Sequence, residues 1–214
     1  MHGIFFNPPI EDNWLGHIVA EIYKDKIYEP YLIGKKDLII LDIGANLGIT
    51  SYYFSKFAKQ VYALEPAFEH FDVLAHMLTF NQLTNIKPIR KAIFTENKKF
   101  PLFHNKNKTM YSLHQNVADG LSPNEMVEAI TLDQLFKDEN IDHVDLMKLD
   151  VEGSEVEILS SLSFHEVANK IDVIIGEQHS WSGRHPNQLR EALKSNGFSY
   201  ETLANDANLF VAKR

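Results

Sequence analysis

Side chains able to exchange protons or accept hydrogen bonds follow several predicted strands of this chain. Asp42 lies near the end of one apolar run, and Glu65 ends the next. Asp150 and Glu152 follow a third apolar run, and His179 follows a fourth. In open α/β sheets, ligands bind at the carboxyl ends of the strands. We therefore expect these side chains to meet at one edge of a sheet and to form a ligand site there.

A glycine-containing turn follows Asp42 directly. Residues 42–48, Asp-Ile-Gly-Ala-Asn-Leu-Gly, lead from a buried strand into a helical pattern, so a ligand could approach backbone N–H groups closely. The spacing differs from the Gly-x-Gly-x-x-Gly of dinucleotide-binding folds. An aspartate before the turn repels a pyrophosphate and suits a cationic or amino-bearing ligand. The alternative is a turn that only packs a helix on a sheet.

Glu65 is the second candidate ligand-binding position. It lies about twenty residues after the glycine turn, where a carboxylate can accept hydrogen bonds from ribose hydroxyls. Pro66 follows it and ends the strand, because proline cannot extend the hydrogen-bonded ladder. A side chain added at Gly44 is expected to block the ligand while leaving the sheet folded.

The order of the elements predicts an α/β fold. Alternating strands and helices indicate a single Rossmann-like domain with a mostly parallel seven-stranded sheet, a C-terminal antiparallel hairpin and helices on both faces. Residues 1–34 are expected to form a helical segment that packs on the domain or covers an acceptor site, and residues 35–214 the ligand-binding domain. Strands are predicted at residues 38–43, 60–64, 86–92, 127–130, 144–149 and 171–175, with the hairpin at 198–203 and 209–212.

Composition restricts the function classes. The 214 residues contain no cysteine, which excludes disulfides, thiolate zinc sites and a cysteine nucleophile. A net charge of -8 argues against general nucleic-acid binding. No apolar run is long enough to span a bilayer and no secretory signal is recognisable, so we expect a cytoplasmic protein without a membrane partner. The oligomeric state is not indicated.

A basic stretch interrupts the acidic average. Between Lys87 and Lys108 the cations greatly outnumber the single carboxylate, Glu96. Such a stretch is typical of an ordinary solvated face, and a docking patch for an anionic acceptor is the sharper hypothesis.

Four segments together resemble the ordered motifs of the FkbM family of S-adenosylmethionine-dependent methyltransferases. They are residues 41–48 (Leu-Asp-Ile-Gly-Ala-Asn-Leu-Gly), 61–66 (Val-Tyr-Ala-Leu-Glu-Pro), 131–133 (Thr-Leu-Asp) and 146–155 (Leu-Met-Lys-Leu-Asp-Val-Glu-Gly-Ser-Glu). The resemblance implies a class I methyltransferase fold, S-adenosylmethionine as the cofactor, and methylation of a hydroxyl on a sugar, glycan or natural product.

The resemblance also implies roles for individual residues. The turn would approach the methionine part of the cofactor, with Asp42 near its amino group. Glu65 would hold the ribose, and Phe68 or the segment at Ala92 would flank the adenine. The implied cofactor-binding set is Asp42, Gly44, Ala45, Asn46, Gly48, Glu65, Pro66, Phe68, Ala92 and Asp150.

His179, Asp150 and Glu152 are the predicted catalytic residues. His179 is predicted to accept the hydroxyl proton, because an imidazole titrates near neutral pH. Asp150 is the other candidate for the proton acceptor. The alternative role for His179 is structural, a hydrogen bond that holds the loop through Trp181. No metal is predicted, although Asp150, Glu152 and Glu177 stay open as Mg²⁺ ligands.

Other functions compete with methyl transfer. An NAD-dependent oxidoreductase could use the same sheet, but the missing middle glycine argues against it. A third alternative is a binding module without catalytic activity. The sequence lacks the zincin, serine-hydrolase and P-loop signatures.

Overall fold

The computed structural model describes residues 14–104, 110–115, 122–179, 183, 186–203 and 206–214. Strands and helices alternate along most of these residues. The strands are β1 (Leu38–Ile43), β2 (Ala58–Leu64), β3 (Ile86–Ile89), β4 (Ala92–Ile93), β5 (Lys99–His104), β6 (Tyr111–Ser112), β7 (Ser122–Ile130), β8 (Val144–Leu149), β9 (Ile171–Glu177), β10 (Glu201–Leu203) and β11 (Asp206–Lys213). The helices are α1 (Trp14–Tyr23), α2 (Glu29–Leu32), α3 (Ile49–Phe54), α4 (Phe68–Phe80), α5 (Leu132–Asp138), α6 (Glu155–Leu159), α7 (Leu162–Val167) and α8 (Pro186–Ser195).

A seven-stranded sheet of order β10-β11-β9-β8-β1-β2-β3 forms the centre of the fold. Its strands pair in parallel except for β11, which is antiparallel to β9 and β10. Ile43 pairs with Leu64 on one side and with Leu149 on the other, and Leu149 pairs with Gly176. The ends of β1, β2, β8 and β9 are therefore level. The predicted fold class is confirmed.

Helices cover both faces of the sheet, because successive residues of β1 point to opposite sides. Leu41 and Ile43 pack in the layer that contains Phe164, whereas Leu38 and Ile40 pack in the layer that contains Phe54. All four β1 side chains are at most 5% exposed. A strand that is buried on both faces has a continuous run of apolar residues. The position of β1 could therefore be predicted from the sequence.

The fold differs from the predicted layout between residues 86 and 130. The predicted strand at 86–92 ends at Ile89, where a hydrogen bond from Lys91 N–H to the Ile89 carbonyl turns the chain. Ala92–Ile93 then pairs with β7 in a second, four-stranded sheet of order β4-β7-β5-β6. The strand predicted at 127–130 belongs to this sheet as well, and it begins at Ser122. The sequence predicted strands in this region but did not predict that they form a second sheet.

Helix α1 packs against helix α3 on one face of the sheet. Ile22 is buried, and the ring of Tyr23 meets the ring of Tyr53 edge-on at 5.4 Å between centroids. The amphipathic helix predicted here is therefore present, while residues 1–13 of the same predicted segment lie outside the described residues. In the part of the chain that the structure describes, no helix has the length and apolar character needed to cross a membrane.

Candidate active site

Two cavities meet at the level ends of the central strands. The β2-side cavity includes Leu64, Glu65, Pro66, Ala92 and Tyr111 in its lining. The β9-side cavity lies under α1 and includes Glu21, Tyr28, Thr50, Lys148 and Glu177. Three residues line both cavities: Gly44, Asn46 and Asp150. A single elongated ligand crossing this junction would touch the predicted turn and the predicted catalytic edge together.

The Glu65 carboxylate is fixed by backbone donors on both of its oxygens. Asn46 N–H donates to Oε2 and Ala67 N–H donates to Oε1, each at 2.9 Å. The side chain is buried, and burial raises the pKa of Glu65 to about 7 against the opposing effect of these two hydrogen bonds. Each carboxylate oxygen can accept further hydrogen bonds. Glu65 is thus a preorganised acceptor in the β2-side cavity.

The glycines of the turn are required by the protein itself. Gly44 has φ +78°, and a Cβ built there would lie 1.7 Å from the Asp150 carbonyl oxygen. At Gly48, with φ +86°, a Cβ would lie 2.4 Å from Leu74 Cδ1. The expectation that a side chain at Gly44 leaves the sheet folded is therefore wrong, because the substitution would push β1 and β8 apart. Ala45 and Asn46, the intervening predicted residues, line the β9-side cavity.

Asp42 lies beneath the cleft and is not among the residues that line either cavity. It is fully buried, and its Oδ2 accepts a hydrogen bond from Ser51 Oγ at 2.5 Å. Lys148 Nζ lies 3.4 Å from Asp42 Oδ1 and 3.4 Å from Asp150 Oδ2, and it donates to the Gly44 carbonyl at 2.8 Å. Asp42 therefore acts on the cleft through Lys148 and the turn.

The sequence analysis missed Lys148. Burial raises the pKa of Asp42, and Lys148 and Ser51 oppose that shift. Burial alone would lower the pKa of Lys148, but the charges of Asp150 and Asp42 outweigh it and raise the pKa. The available signal was a lysine inside the apolar strand β8, since a buried lysine almost always has a charged partner.

His179 lies among four carboxylates, and we call this group the His179 cluster. Its members are His179, Asp150, Glu152, Glu155 and Glu177. His179 Nδ1 donates to Glu155 Oε1 at 2.8 Å. Its Nε2 lies 3.2 Å from Glu152 Oε2, 3.8 Å from Glu177 Oε1 and 4.0 Å from Asp150 Oδ1. The structure thus brings the three predicted catalytic residues together.

The Asp-Val-Glu-Gly-x-Glu element explains how this cluster is built. The N–H groups of Val151 and Gly153 both lie within hydrogen-bond distance of Glu155 Oε1, at 3.3 and 3.1 Å. Glu152 and Gly153 both have positive φ, +54° and +104°. The chain therefore curls around the Glu155 carboxylate, and this curl turns the Glu152 side chain towards His179.

The charges in the cluster disfavour His179 as a proton acceptor. Burial opposes its positive charge, but the hydrogen bond to Glu155 and the charges of Glu155, Glu152 and Asp150 outweigh burial and raise the pKa of His179 to about 10. An imidazole with this pKa already carries its proton at neutral pH. Burial and neighbouring carboxylates also raise the pKa of Glu152 to about 8 and that of Glu177 to about 7. The alternative role for His179, a hydrogen bond that holds the loop through Trp181, involves a residue outside the described residues.

The predicted adenine-flanking residues have different positions. Ala92 and Pro66 line the β2-side cavity. Phe68 does not line it; its side chain is 54% exposed, with the Arg90 guanidinium carbon 4.9 Å from the ring centroid. The apolar wall comes instead from the unpredicted second sheet and the segment beside it: Ile93, Leu102, Tyr111 and Leu113.

Three of the five described cations of the basic stretch pair with carboxylates. Lys87 pairs with Glu139 at 2.5 Å, and Arg90 pairs with Glu125 at 2.5 Å. Lys98 pairs with Glu96 at 2.8 Å. Lys106 and Lys108 lie outside the described residues. The described part of the stretch therefore supports the solvated-face interpretation.

Comparison with known proteins agrees with this geometry. Residues 42–200 match the family model described as "Methyltransferase FkbM domain". The "Methyltransferase sdnD" of Sordaria araneosa is 25% identical over an alignment 212 positions long, gaps included, and this alignment covers 85% of this chain and 81% of that protein. Two solved structures share the fold at low identity. The ribosomal protein L11 methylase of Lactobacillus delbrueckii subsp. bulgaricus has a TM-score of 0.53 and 12% identity, covering 97% of this chain and 87% of that one. The precorrin-6y C5,15-methyltransferase of Geobacter metallireducens GS-15 has a TM-score of 0.51 and 13% identity, covering 88% and 87%.

Proposed function

The chain belongs to the FkbM methyltransferase family, and we propose that it methylates a hydroxyl oxygen of a neutral sugar, glycan or other natural product. Family membership makes it an S-adenosylmethionine-dependent methyltransferase, and the NAD-dependent alternative is not favoured. The chemistry of the acceptor is the proposed part. The observation that carries it is the carboxylate lining of the β9-side cavity.

The cleft fits the cofactor on chemical grounds. S-adenosylmethionine would supply a methyl group bound to a sulfonium: the acceptor oxygen would bond to the methyl carbon while the carbon–sulfur bond breaks, and S-adenosylhomocysteine would leave as a neutral thioether. Glu65 would hold the ribose hydroxyls, because both of its oxygens are already positioned by backbone N–H groups. The apolar wall that includes Leu102 and Tyr111 would cover the adenine. The junction residues Gly44, Asn46 and Asp150 would contact the methionine part.

The acceptor side is acidic. Glu21, Asp150 and Glu177 line the β9-side cavity, and its lysine, Lys148, is already bound to Asp42, Asp150 and the Gly44 carbonyl. Carboxylates accept hydrogen bonds from hydroxyl groups and repel anions. Burial, followed by the charge of Asp150, raises the pKa of Glu21 and of Glu177. A neutral, hydroxyl-bearing acceptor therefore suits this cavity better than the anionic acceptor expected from the basic stretch.

The residues of the site would mainly position the reactants and exclude water. Holding an oxygen in line with the methyl group is itself a large part of catalysis. The hydroxyl proton would pass to a carboxylate of this edge or to water, because both ring nitrogens of His179 face carboxylates. Glu21 and Tyr28 would enclose the acceptor from the side of α1 and α2.

The experiment is an acceptor screen with methyl-labelled S-adenosylmethionine. It compares matched neutral and anionic sugars, such as a hexose and its uronic acid, and reads the product by mass and by the chemical shift of the new methyl group. We expect O-methylated neutral sugar, and slower turnover of the uronic acid. Methylation only on nitrogen or carbon, or preferential turnover of the uronic acid, would contradict the proposal. Asp150→Asn supplies the inactive control.

A further inference from the structure

The His179 cluster has the donor atoms of a metal site. One oxygen each from Asp150 and Glu152 and one nitrogen from His179 all lie within 4.8 Å of one another. Adjacent ligands of an octahedral ion with bonds of about 2.1 Å are about 3 Å apart, and opposite ligands about 4 Å apart. The distances from His179 Nε2 to the carboxylates of Glu152, Glu177 and Asp150, from 3.2 to 4.0 Å, fall in this range.

The imidazole is oriented in the way that metal-ligating histidines are. A ligating histidine usually donates its other ring N–H to a carboxylate, which fixes the tautomer and the ring plane. His179 Nδ1 makes this contact with Glu155 Oε1 at 2.8 Å, and the Gly153 N–H also donates to Glu155 Oε1. His179 itself is only 8% exposed. Its Nε2 is therefore held towards the carboxylates by an ordered buried contact.

Glu152 provides an independent indication that the cluster binds a cation. Its Oε2 is buried and has no hydrogen-bond partner among the described residues. His179 Nε2 lies 3.2 Å from this oxygen. The Glu152 backbone has φ +54°, a conformation that residues other than glycine rarely adopt. A strained backbone thus holds a buried carboxylate oxygen 3.2 Å from the imidazole Nε2, a spacing at which one metal ion can bind both atoms.

The charge balance of the region points the same way. The connected carboxylates are those of Asp42, Asp150, Glu152, Glu155 and Glu177. The cations among them are Lys148 and, when protonated, His179. Five carboxyl groups thus face two cationic groups, so the carboxyl groups outnumber the cationic groups by three. Buried charges are normally paired or bound to metals.

We propose that the His179 cluster binds one divalent metal ion through His179 Nε2, Glu152 and Asp150, with Glu177 next to it. The ion would take the place of the imidazolium proton. Because imidazole suits transition metals while carboxylates suit Mg²⁺ and Mn²⁺, Mn²⁺ matches the mixed set best. A hydroxyl bound to the ion would be more acidic and would be held beside the junction of the cavities. This role rests on the proposed function, whereas metal binding itself does not.

A second group of the same residue types gives a matched control. His143, Asp145 and Asp172 also place their ligand atoms within 4.8 Å of one another, at the beginnings of β8 and β9. The side chains of His143 and Asp172 are 49% and 56% exposed, and Asp145 accepts a hydrogen bond from Ile39 N–H. Exposure lets water and solvent ions satisfy these groups, so we expect weak binding there.

The test is a titration of the metal-free full-length protein with Mn²⁺, without donor or acceptor, monitored by the EPR signal of free Mn²⁺. We expect one bound Mn²⁺ per chain in the wild type and in His143→Ala. Glu152→Gln and His179→Ala should each weaken binding by about tenfold or more, and Glu155→Gln by about 10- to 100-fold. Circular dichroism checks that each variant is folded. If His179→Ala does not fold, the comparison of Glu152→Gln with the wild type still tests the metal site.

Three results would overturn the proposal: no Mn²⁺ bound by the wild type, binding lost in His143→Ala, or binding unchanged in folded Glu152→Gln. A further arm adds S-adenosylmethionine to the Mn²⁺-loaded protein. Retention of the metal supports the site, and its displacement would show that the carboxylates serve the positive charge of the donor instead. Mn²⁺ binding without methylation of any hydroxyl acceptor would refute the proposed function alone. Hydroxyl methylation by a protein that binds no Mn²⁺ would refute the metal site alone.

Discussion

Lys148 and Asp42 form an ion pair inside the central sheet, with Lys148 Nζ 3.4 Å from Asp42 Oδ1. Asp42 is fully buried and Lys148 is 6% exposed. The same ammonium group donates to the Gly44 carbonyl. This pair therefore connects the interior of adjacent strands β1 and β8 to the turn at the cavity junction.

Removing only the cation of this pair should be strongly destabilising. We expect Lys148→Met to lower the free energy of unfolding by about 3–5 kcal/mol, because it leaves the buried Asp42 charge uncompensated. The double variant Asp42→Asn/Lys148→Met should lose less than Lys148→Met alone. Urea denaturation measures both. Lys98→Met is the control, since Lys98 is 53% exposed in its pair with Glu96 and should change stability by about 1 kcal/mol or less. Equal losses in Lys98→Met and Lys148→Met would contradict the structural role of the buried pair.

Gly44 and Gly34 allow steric clash to be separated from backbone conformation. The two glycines have nearly the same φ, +78° and +80°, but a Cβ at Gly34 meets nothing within 4 Å. Gly34→Ala should cost about 1–2 kcal/mol, the usual penalty for a left-handed residue. Gly44→Ala adds the collision with the Asp150 carbonyl, and we expect a total loss of about 3 kcal/mol or more. Thermal unfolding of both variants provides the measurement. Similar midpoints would contradict the prediction and show that β8 shifts to relieve the clash at little cost in stability.

The sequence predicted the central sheet because its strands are buried on both faces. Such burial demands unbroken apolar runs, and the polar residues that follow them mark the ligand edge. The turn at residues 42–48, Glu65 and the 150–155 element were all located in this way. Their convergence follows from the level strand ends, with Ile43 opposite Leu64 and Leu149.

The second sheet and the charge state of His179 could not be predicted because both depend on contacts distant in the chain. Pairing of Lys99 with Glu128 and of Ala92 with Ala129 is not encoded in local periodicity. The pKa of His179 depends on Glu155, twenty-four residues away in sequence. Phe68 shows a related limit: the sequence could not indicate that the side chain of this aromatic residue would lie at the surface under Arg90.

The adenine wall can be tested by comparing Leu113 with Phe68. Leu113 lines the β2-side cavity, whereas Phe68 does not. Leu113→Ala should weaken S-adenosylmethionine binding by about 1–2 kcal/mol through lost apolar burial. Phe68→Ala should leave the affinity unchanged. Isothermal titration of each folded variant provides the measurement. Weaker binding in Phe68→Ala alone would show that the adenine packs against Phe68, as the sequence predicted.

Glu65 should make donor binding depend on pH. Its pKa of about 7 lies above the ordinary 4.5, and burial is the main cause. Ribose hydroxyls donate hydrogen bonds, so they favour the ionised carboxylate over the protonated form. S-adenosylmethionine affinity should therefore rise as pH increases through about 7. The unliganded protein should show the opposite trend: the folded state binds this proton more tightly than the unfolded state, so the contribution is fully present below about 4.5 and is lost as pH rises through 7.

Glu65→Gln separates these effects from the titration of other groups, because it keeps the size of the side chain and removes its charge change. Donor affinity of Glu65→Gln should be lower at pH 8 by about 1.5–3 kcal/mol, the scale of hydrogen bonds to a charged group. The difference in stability between Glu65→Gln and wild type should change by about 3 kcal/mol between pH 4.5 and 7.5, which follows from 1.36 kcal/mol for each unit of pKa shift. Isothermal titration and urea denaturation across this range give both quantities. Parallel pH profiles for the two proteins would show that Glu65 stays ionised throughout, and that its two backbone hydrogen bonds outweigh its burial.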